Sequence, residues 1–280
     1  MTYRTLTCLH RTDRASRHVL GAADFARRHA AHLDVLVLAD TPLQSTLDMV
    51  RTEPYHRSRS FTRLIDDAES AADDIRTTLV DEDIRHSVTI VCEPASQLET
   101  AIGQQLLATD LVLMEEPQTL LAGVGAKCLG GALFHAGKPA LVLRDGTKDP
   151  TASIAETRTA LIAWHGSREC ARAVQLALPL LAEAASVRLL QIGDLGNTTL
   201  DEQRTSVDLW LTRHGIDITN ERLPRSGDTI AATLAQRLCD PEVDLAVMGA
   251  YGRSPLLESW FAGTTHRVLK EGSTNLFIAH

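Results

Sequence analysis

The chain has 280 residues, 44% of them hydrophobic and 23% charged, and a formal charge of −8. That length fits two domains of about 100–150 residues, and the apolar content excludes a disordered chain. The acidic balance and the 4% aromatic content argue against nucleic acid as a partner, since such binding needs clustered Lys and Arg or aromatic stacking platforms.

In the first half, short apolar runs predict buried strands at Arg4–Leu9, Leu33–Leu38, Ser87–Val91, Leu111–Met114 and Ala140–Leu143. The segment Thr41–Thr62 holds Pro42, Pro54 and the basic group His56-Arg57-Ser58-Arg59. It reads as a solvated surface loop with room for a short helix. Asp145–Ser153 is polar with Gly and Pro, the composition of a linker.

The second half alternates strand and helix. Strands are expected at Thr159–Trp164, Val187–Ile192, Ile216–Glu221, Asp244–Met248 and Asn275–Ala279. Helices are expected at Ser167–Glu183, Asp201–His214, Thr229–Cys239 and Leu256–Lys270, with Gly215 suited to a left-handed cap. Buried strands separated by helices predict a doubly wound, mostly parallel sheet covered on both faces. Ligands bind such sheets beyond the carboxyl ends of the strands.

The two halves repeat each other. Leu6-Thr7-Cys8-Leu9-His10 matches Leu161-Ile162-Ala163-Trp164-His165, and Asp110-Leu111-Val112-Leu113-Met114 matches Asp244-Leu245-Ala246-Val247-Met248. Leu141-Val142-Leu143 matches Leu276-Phe277-Ile278, and each half carries a charge of −4. A tandem duplication follows, with domains at 1–146 and 157–280.

The chemistry gathers in the second copy. Met248-Gly249-Ala250-Tyr251-Gly252-Arg253 follows a predicted strand and precedes a helix. Glycines there let the backbone approach a ligand, and free N–H groups attract phosphate. A tight strand-to-helix turn explains the same glycines without a ligand. Phe261-Ala262-Gly263-Thr264-Thr265 is a poor helix interior. A break there would present N–H groups and the Thr264 and Thr265 hydroxyls, and Arg253 could reach a phosphate as a charged donor. Close packing of small residues is the competing explanation.

Gly249-x2-Gly252 followed by Gly263-Thr264 resembles the universal stress protein signature, G-x2-G-x9-G-[S/T]. Strict spacing places Ala262 at the third glycine, and one further residue gives Gly263-Thr264. The likeness extends to Trp164-His165-Gly166-Ser167 and Gly227-Asp228-Thr229-Ile230, and the layout is similar to the tandem bacterial members. The resemblance implies two Rossmann-like domains of strand order 3-2-1-4-5. It also implies cytoplasmic location, a homodimer or intramolecular pseudo-dimer, and ATP or AMP binding in some members, with Mg possible alongside ATP. It places nucleotide contacts on His165, Ile192, Met248, Gly249, Gly252, Gly263 and Thr264. His165 stands where binders carry Asp. The first copy has Glu115-Glu116 in place of GxxG, so no nucleotide is expected there.

No stretch approaches the roughly 18 apolar residues of a membrane helix, and the opening MTYRTLTCLHRTDR lacks an apolar signal core. Cys8, Cys92, Cys128, Cys170 and Cys239 are scattered without metal-ligand spacing. They read as reduced, small apolar residues of a cytoplasmic protein. Motifs for P-loop, dinucleotide and G-x-S-x-G hydrolase chemistry are absent. The expected function is regulatory, through adenine-nucleotide binding in the second domain. A nucleotide-free scaffold or a slow ATP-hydrolysing enzyme are the alternatives.

Overall fold

The computed structural model describes residues 2–12, 17–41, 54–115, 123–144, 157–193, 198–224, 229–250 and 263–280. The chain divides into two compact units, one formed by Tyr3–Glu115 with Ala122–Lys138, the other chiefly by Pro139–His280.

The first unit contains β1 (Thr5–Arg11), α1 (Arg17–His29), β2 (His32–Thr41), α2 (Pro54–Leu79), β3 (His86–Pro94), α3 (Ala95–Gln105), β4 (Leu111–Glu115) and α4 (Gly123–Gly130), which runs into a π-helical turn at Gly131–His135. Its strands lie in the order β3-β2-β1-β4, with β1–β2, β1–β4 and β2–β3 all parallel. Parallel strands covered on both faces favour continuous apolar runs, and Val35–Ala39 of β2 is one. Leu6, Leu33, Phe25, Ile75, Leu79 and Ile102 are fully buried at its core.

Residues from Pro54 onward, expected as loop, are helical. Proline at a helix start has no N–H to leave unsatisfied, and Ala68, Ala72, Ile75 and Leu79 form a buried stripe at helical spacing. Gly103, Gly130 and Gly131 lie where helices meet closely. A Cβ on Gly103 would strike His135, and one on Gly130 or Gly131 would strike Glu99, so α3 and α4 cross in close contact.

The second unit holds β5 (Ala140–Leu143), β6 (Thr159–Ala163), α5 (Arg168–Leu176), α6 (Leu178–Glu183), β7 (Ser186–Ile192), α7 (Thr198–Arg213), β8 (Ile218–Leu223), α8 (Ile230–Arg237), β9 (Leu245–Gly249), α9 (Thr264–Glu271) and β10 (Asn275–Ala279). Strand order is β5-β10-β9-β6-β7-β8. Numbered within the second half, β6 to β10 have the 3-2-1-4-5 order. β5 runs antiparallel to β10, with Leu141 opposite Phe277. The remaining pairs are parallel.

The single helix expected over Ser167–Glu183 is two helices, α5 and α6, meeting at Ala177. Pro179 has no N–H for the carbonyl one turn back, so the ladder stops there. Gly215 ends α7 as expected, at φ 77°. Its N–H donates to Thr212 O at 2.9 Å, and that of Ile216 to Leu211 O at 3.0 Å. The linker residues Asp145–Ser153 lie outside the described residues.

The matched Asp-Leu segments do the same work twice. Asp110 Oδ2 accepts the backbone N–H groups of Arg4 and Thr5 at 2.7 and 2.9 Å. Asp244 Oδ2 accepts those of Arg158 and Thr159, each at 2.9 Å. In each unit a carboxylate before one strand satisfies donors at the start of its neighbour. Asp110→Ala or Asp244→Ala is expected to cost about 1–2 kcal/mol, as loss of hydrogen bonds to a charged acceptor. Urea unfolding checks this, and a change below about 0.3 kcal/mol would contradict it.

Candidate functional site

Three adjacent strands, β7, β6 and β9, deliver most of the expected ligand residues to one edge. Ala163 lies opposite Leu190 on β7 and Met248 on β9. His165 follows β6, while Ile192 ends β7 and Gly249 ends β9. Side chains alternate between faces along a strand. Met248 and Ile192 therefore share one face, and Gly249 lies on the other. Gly166, at φ 77°, supplies the left-handed residue that turns the chain from His165 into α5. His165 is exposed and Met248 is buried.

Gly249 has a structural reason to be glycine. A Cβ there would lie 2.5 Å from Cys170 N and from Glu169 C, and 2.9 Å from Glu169 Cβ. The strand end thus rests directly on the first turn of α5. Ser167 caps this helix by accepting the Cys170 N–H at 3.2 Å. Beside it, the buried Glu169 carboxylate takes the Arg168 Nε–H at 2.6 Å. Burial pushes the Glu169 carboxyl up. Hydrogen bonds from Arg168, its own N–H and Ser167, with the Arg168 charge, outweigh burial and hold it at about 2. The first turn of α5 therefore carries its own anion.

Gly263 sits in extended backbone as the N-cap of α9, and its lack of a side chain leaves that helix start without a side-chain cap. A break was expected here within a helix over Leu256–Lys270, and the described helix begins at Thr264; residues 256–262 lie outside the described residues. Thr265 is buried and Gly263 exposed. A helix that feeds a parallel strand runs back from the carboxyl edge, so α9 opens on the same side of the sheet as Gly249. Arg267 Nη1 reaches Thr229 Oγ1, the N-cap of α8, at 3.5 Å, bringing the starts of α8 and α9 together. Gly252, Arg253 and Ala262 lie outside the described residues.

The equivalent edge of the first unit is filled by side chains that sequence reasoning did not bring together. His10 and His18 stack with ring centroids 5.0 Å apart, and His18 Nδ1 is 2.7 Å from Glu115 Oε1. Burial opposes charge on His18. The neighbouring Cys8 and Glu115 overcome it and raise the imidazole to about 10. Glu115 was expected as a carboxylate that repels phosphate, but it is the partner of a buried cation. The recurring histidines also part company, since His10 is buried and His165 exposed. Three of the five cysteines, Cys8, Cys128 and Cys170, are buried as expected, whereas Cys239 is exposed. Among the described residues no group of His, Cys, Asp and Glu could hold a metal ion. No described helix is long and apolar enough to cross a membrane.

A doubly wound α/β unit with helix starts converging at its carboxyl edge is the class of domain that these features define. No family model matches the chain, and no curated protein matches it in sequence. Solved structures do match its fold. A universal stress protein from Archaeoglobus fulgidus superposes with a TM-score of 0.71 at 13% identity, covering 98% of this chain and 95% of that one. A functionally unknown protein from Pseudomonas aeruginosa gives 0.62 at 14%, covering 99% and 92%. The cytoplasmic domain of a prokaryotic cation chloride cotransporter gives 0.51 at 12%, covering 99% and 95%. The chain has the universal stress protein fold, over nearly its whole length.

Proposed function

We propose that the protein is a cytoplasmic regulator of the tandem universal stress type, with domains at 1–146 and 157–280, that binds ATP or AMP in the second. Binding would alter its association with partners, including a second copy of the chain. The observation that carries this reading is the start of α9, whose N-cap glycine brings no side-chain cap, with the Thr264 and Thr265 hydroxyls, on the carboxyl side of the sheet. Such a terminus offers N–H groups and a partial positive charge to a phosphate. His165 and Ile192, at the ends of neighbouring strands, would hold the adenosine end. Gly252 and Arg253 would hold phosphate from the loop between β9 and α9. Mg would accompany ATP.

Titration calorimetry with ATP and AMP, with and without Mg, is expected to give affinities of about 10 µM to 1 mM. His165→Asp is expected to tighten binding roughly tenfold, because a carboxylate accepts from ribose or amino groups at both oxygens while a neutral imidazole accepts at one nitrogen. Absence of heat from both proteins at millimolar ligand would favour a nucleotide-free scaffold. The Glu169 carboxylate beside Gly249 is the specific observation behind that second reading, since it opposes a nearby phosphate.

A further inference from the structure

Cys170 is the third residue of α5, and its thiol points back toward the end of β6. Sγ donates to the Ala163 carbonyl at 3.5 Å. The His165 side chain and the backbone of His165 and Gly249 neighbour the thiol and favour its charged form. An imidazole, backbone donors and a helix start each favour a thiolate over a thiol. Glu169 and Arg168 are the other charged groups on this turn, and they are paired with each other. Burial raises the Cys170 thiol, but these contacts, led by His165, outweigh it and leave the thiol below its ordinary value. Cys128 shows the opposite balance. Burial dominates there and pushes the thiol up to about 12.

A second observation lies in the sheet beneath. The Trp164 N–H donates to Leu190 O at 2.8 Å, continuing the β6–β7 ladder by one residue. One step beyond the register of Ala163 with Leu190 and Met248, Trp164 lies level with Gln191 and Gly249. These three residues share a face, the one on which Gly249 meets the Cys170 turn. Trp164 is 8% exposed and Gln191 9%. The indole Nε1–H and the Gln191 Oε1 are both buried without a hydrogen-bond partner. Buried polar groups are ordinarily paired. A donor and an acceptor side by side suit a hydroxyl-bearing group that both accepts and donates.

We propose that Cys170 is a modification site, oxidised by small hydroperoxides to a sulfenic acid with His165 as proton carrier and Trp164 as donor to the new oxygen. His165 takes the thiol proton. The thiolate attacks the terminal oxygen of the hydroperoxide, an S–O bond forms, and the O–O bond breaks. Sulfur loses two electrons and the peroxide gains them. His165 returns its proton to the departing alkoxide, which leaves as an alcohol, or as water when the oxidant is hydrogen peroxide. Cys170 is 1% exposed and its neighbour His165 is exposed, so only a peroxide small enough to pass that side chain reaches the sulfur.

The test uses the reduced full chain and hydrogen peroxide, with no nucleotide present, so its outcome is separate from that of the calorimetry. Timed samples are quenched into denaturant containing a cyclic 1,3-diketone, which then reaches the buried sulfur, and the trapped sulfenic acid is mapped by peptide mass. Cys170 is expected to be labelled about tenfold faster than the exposed Cys239. His165→Asn is expected to slow Cys170 by about tenfold and to move the midpoint of its pH–rate profile upward. Trp164→Phe, which keeps the ring and removes the donor, is expected to shorten the sulfenic acid's lifetime. Should the variants fail to fold, the wild-type profile still decides: its midpoint must lie below that of an ordinary thiol. Labelling of Cys170 no faster than Cys239, a midpoint at or above the ordinary thiol value, or a rate indifferent to His165→Asn would overturn the proposal. A lifetime unchanged in Trp164→Phe would remove the indole from it.

Discussion

Gly249→Ala is expected to lower the stability of the protein by about 3 kcal/mol, at the upper end for overpacking. The added methyl would lie 2.5 Å from the backbone of Glu169 and Cys170. Side chains yield by changing rotamer, but here the obstacle is the first turn of α5. Relief requires β9 and α5 to separate, which opens gaps along a buried strand. Thermal unfolding should show a fall of roughly 5–10 °C. Gly263→Ala is the control. Its φ is −179° and none of the described residues lies within 4 Å of an added Cβ, so its cost should stay within about 1 kcal/mol, the difference between glycine and alanine at an N-cap. Equal effects at the two positions would show that the contact of Gly249 with α5 is not what demands glycine. The same geometry bears on ligand studies, because loss of binding in a Gly249 variant would report a displaced helix as readily as a lost phosphate contact.

Glu115→Gln is expected to cost about 2–3 kcal/mol at pH 7. Removing one member of a buried ion pair strands the other, and the figure is kept modest because Glu115 retains 30% exposure against 5% for His18. The folded-state imidazole is raised from 6.5 to about 10. Its contribution is therefore present in full below pH 6.5, falls as the pH rises, and is gone above about 10. In Glu115→Gln, burial acts on His18 against Cys8 alone, so the loss should still begin near pH 6.5 but end at lower pH and be smaller. Denaturant unfolding from pH 6 to 10.5 measures both curves. Curves that stay parallel throughout would show that the pair does not set the alkaline limit. A double variant with His18→Leu should recover part of the loss, since it removes the stranded charge.

Much of the architecture was legible because it rests on local patterns. Runs such as Val35–Leu38 and Leu276–Ala279 are apolar throughout, as strands buried on both faces require. The Asp-Leu repeat announced a duplicated hydrogen-bond arrangement. Gly215 marked a helix end because its conformation excludes most other residues. Pro179 carried a signal that was passed over, since a proline in a helical pattern marks a break. The start of α2 at Pro54 was obscured by its basic residues, which resemble a loop until the stripe from Ala68 to Leu79 is read with them.

The sites were less legible, because contacts between segments far apart in sequence decide them. Gly249 reads alike whether it faces a phosphate or a helix, and only the position of Glu169 and Cys170 distinguishes the two. His10 and His165 are matched in sequence, yet one is buried against His18 and the other exposed, because different helices cover the two strand ends. Cys8, His18 and Glu115 come from a strand, a helix and another strand, and no spacing announces that they meet. By itself the sequence determined most of the strand and helix order and the acidic net charge, since composition and periodicity act along the chain. The tertiary structure alone decided which glycine is sterically required, which histidine is charged and which thiol is activated, since close approach, desolvation and charge pairing act through space.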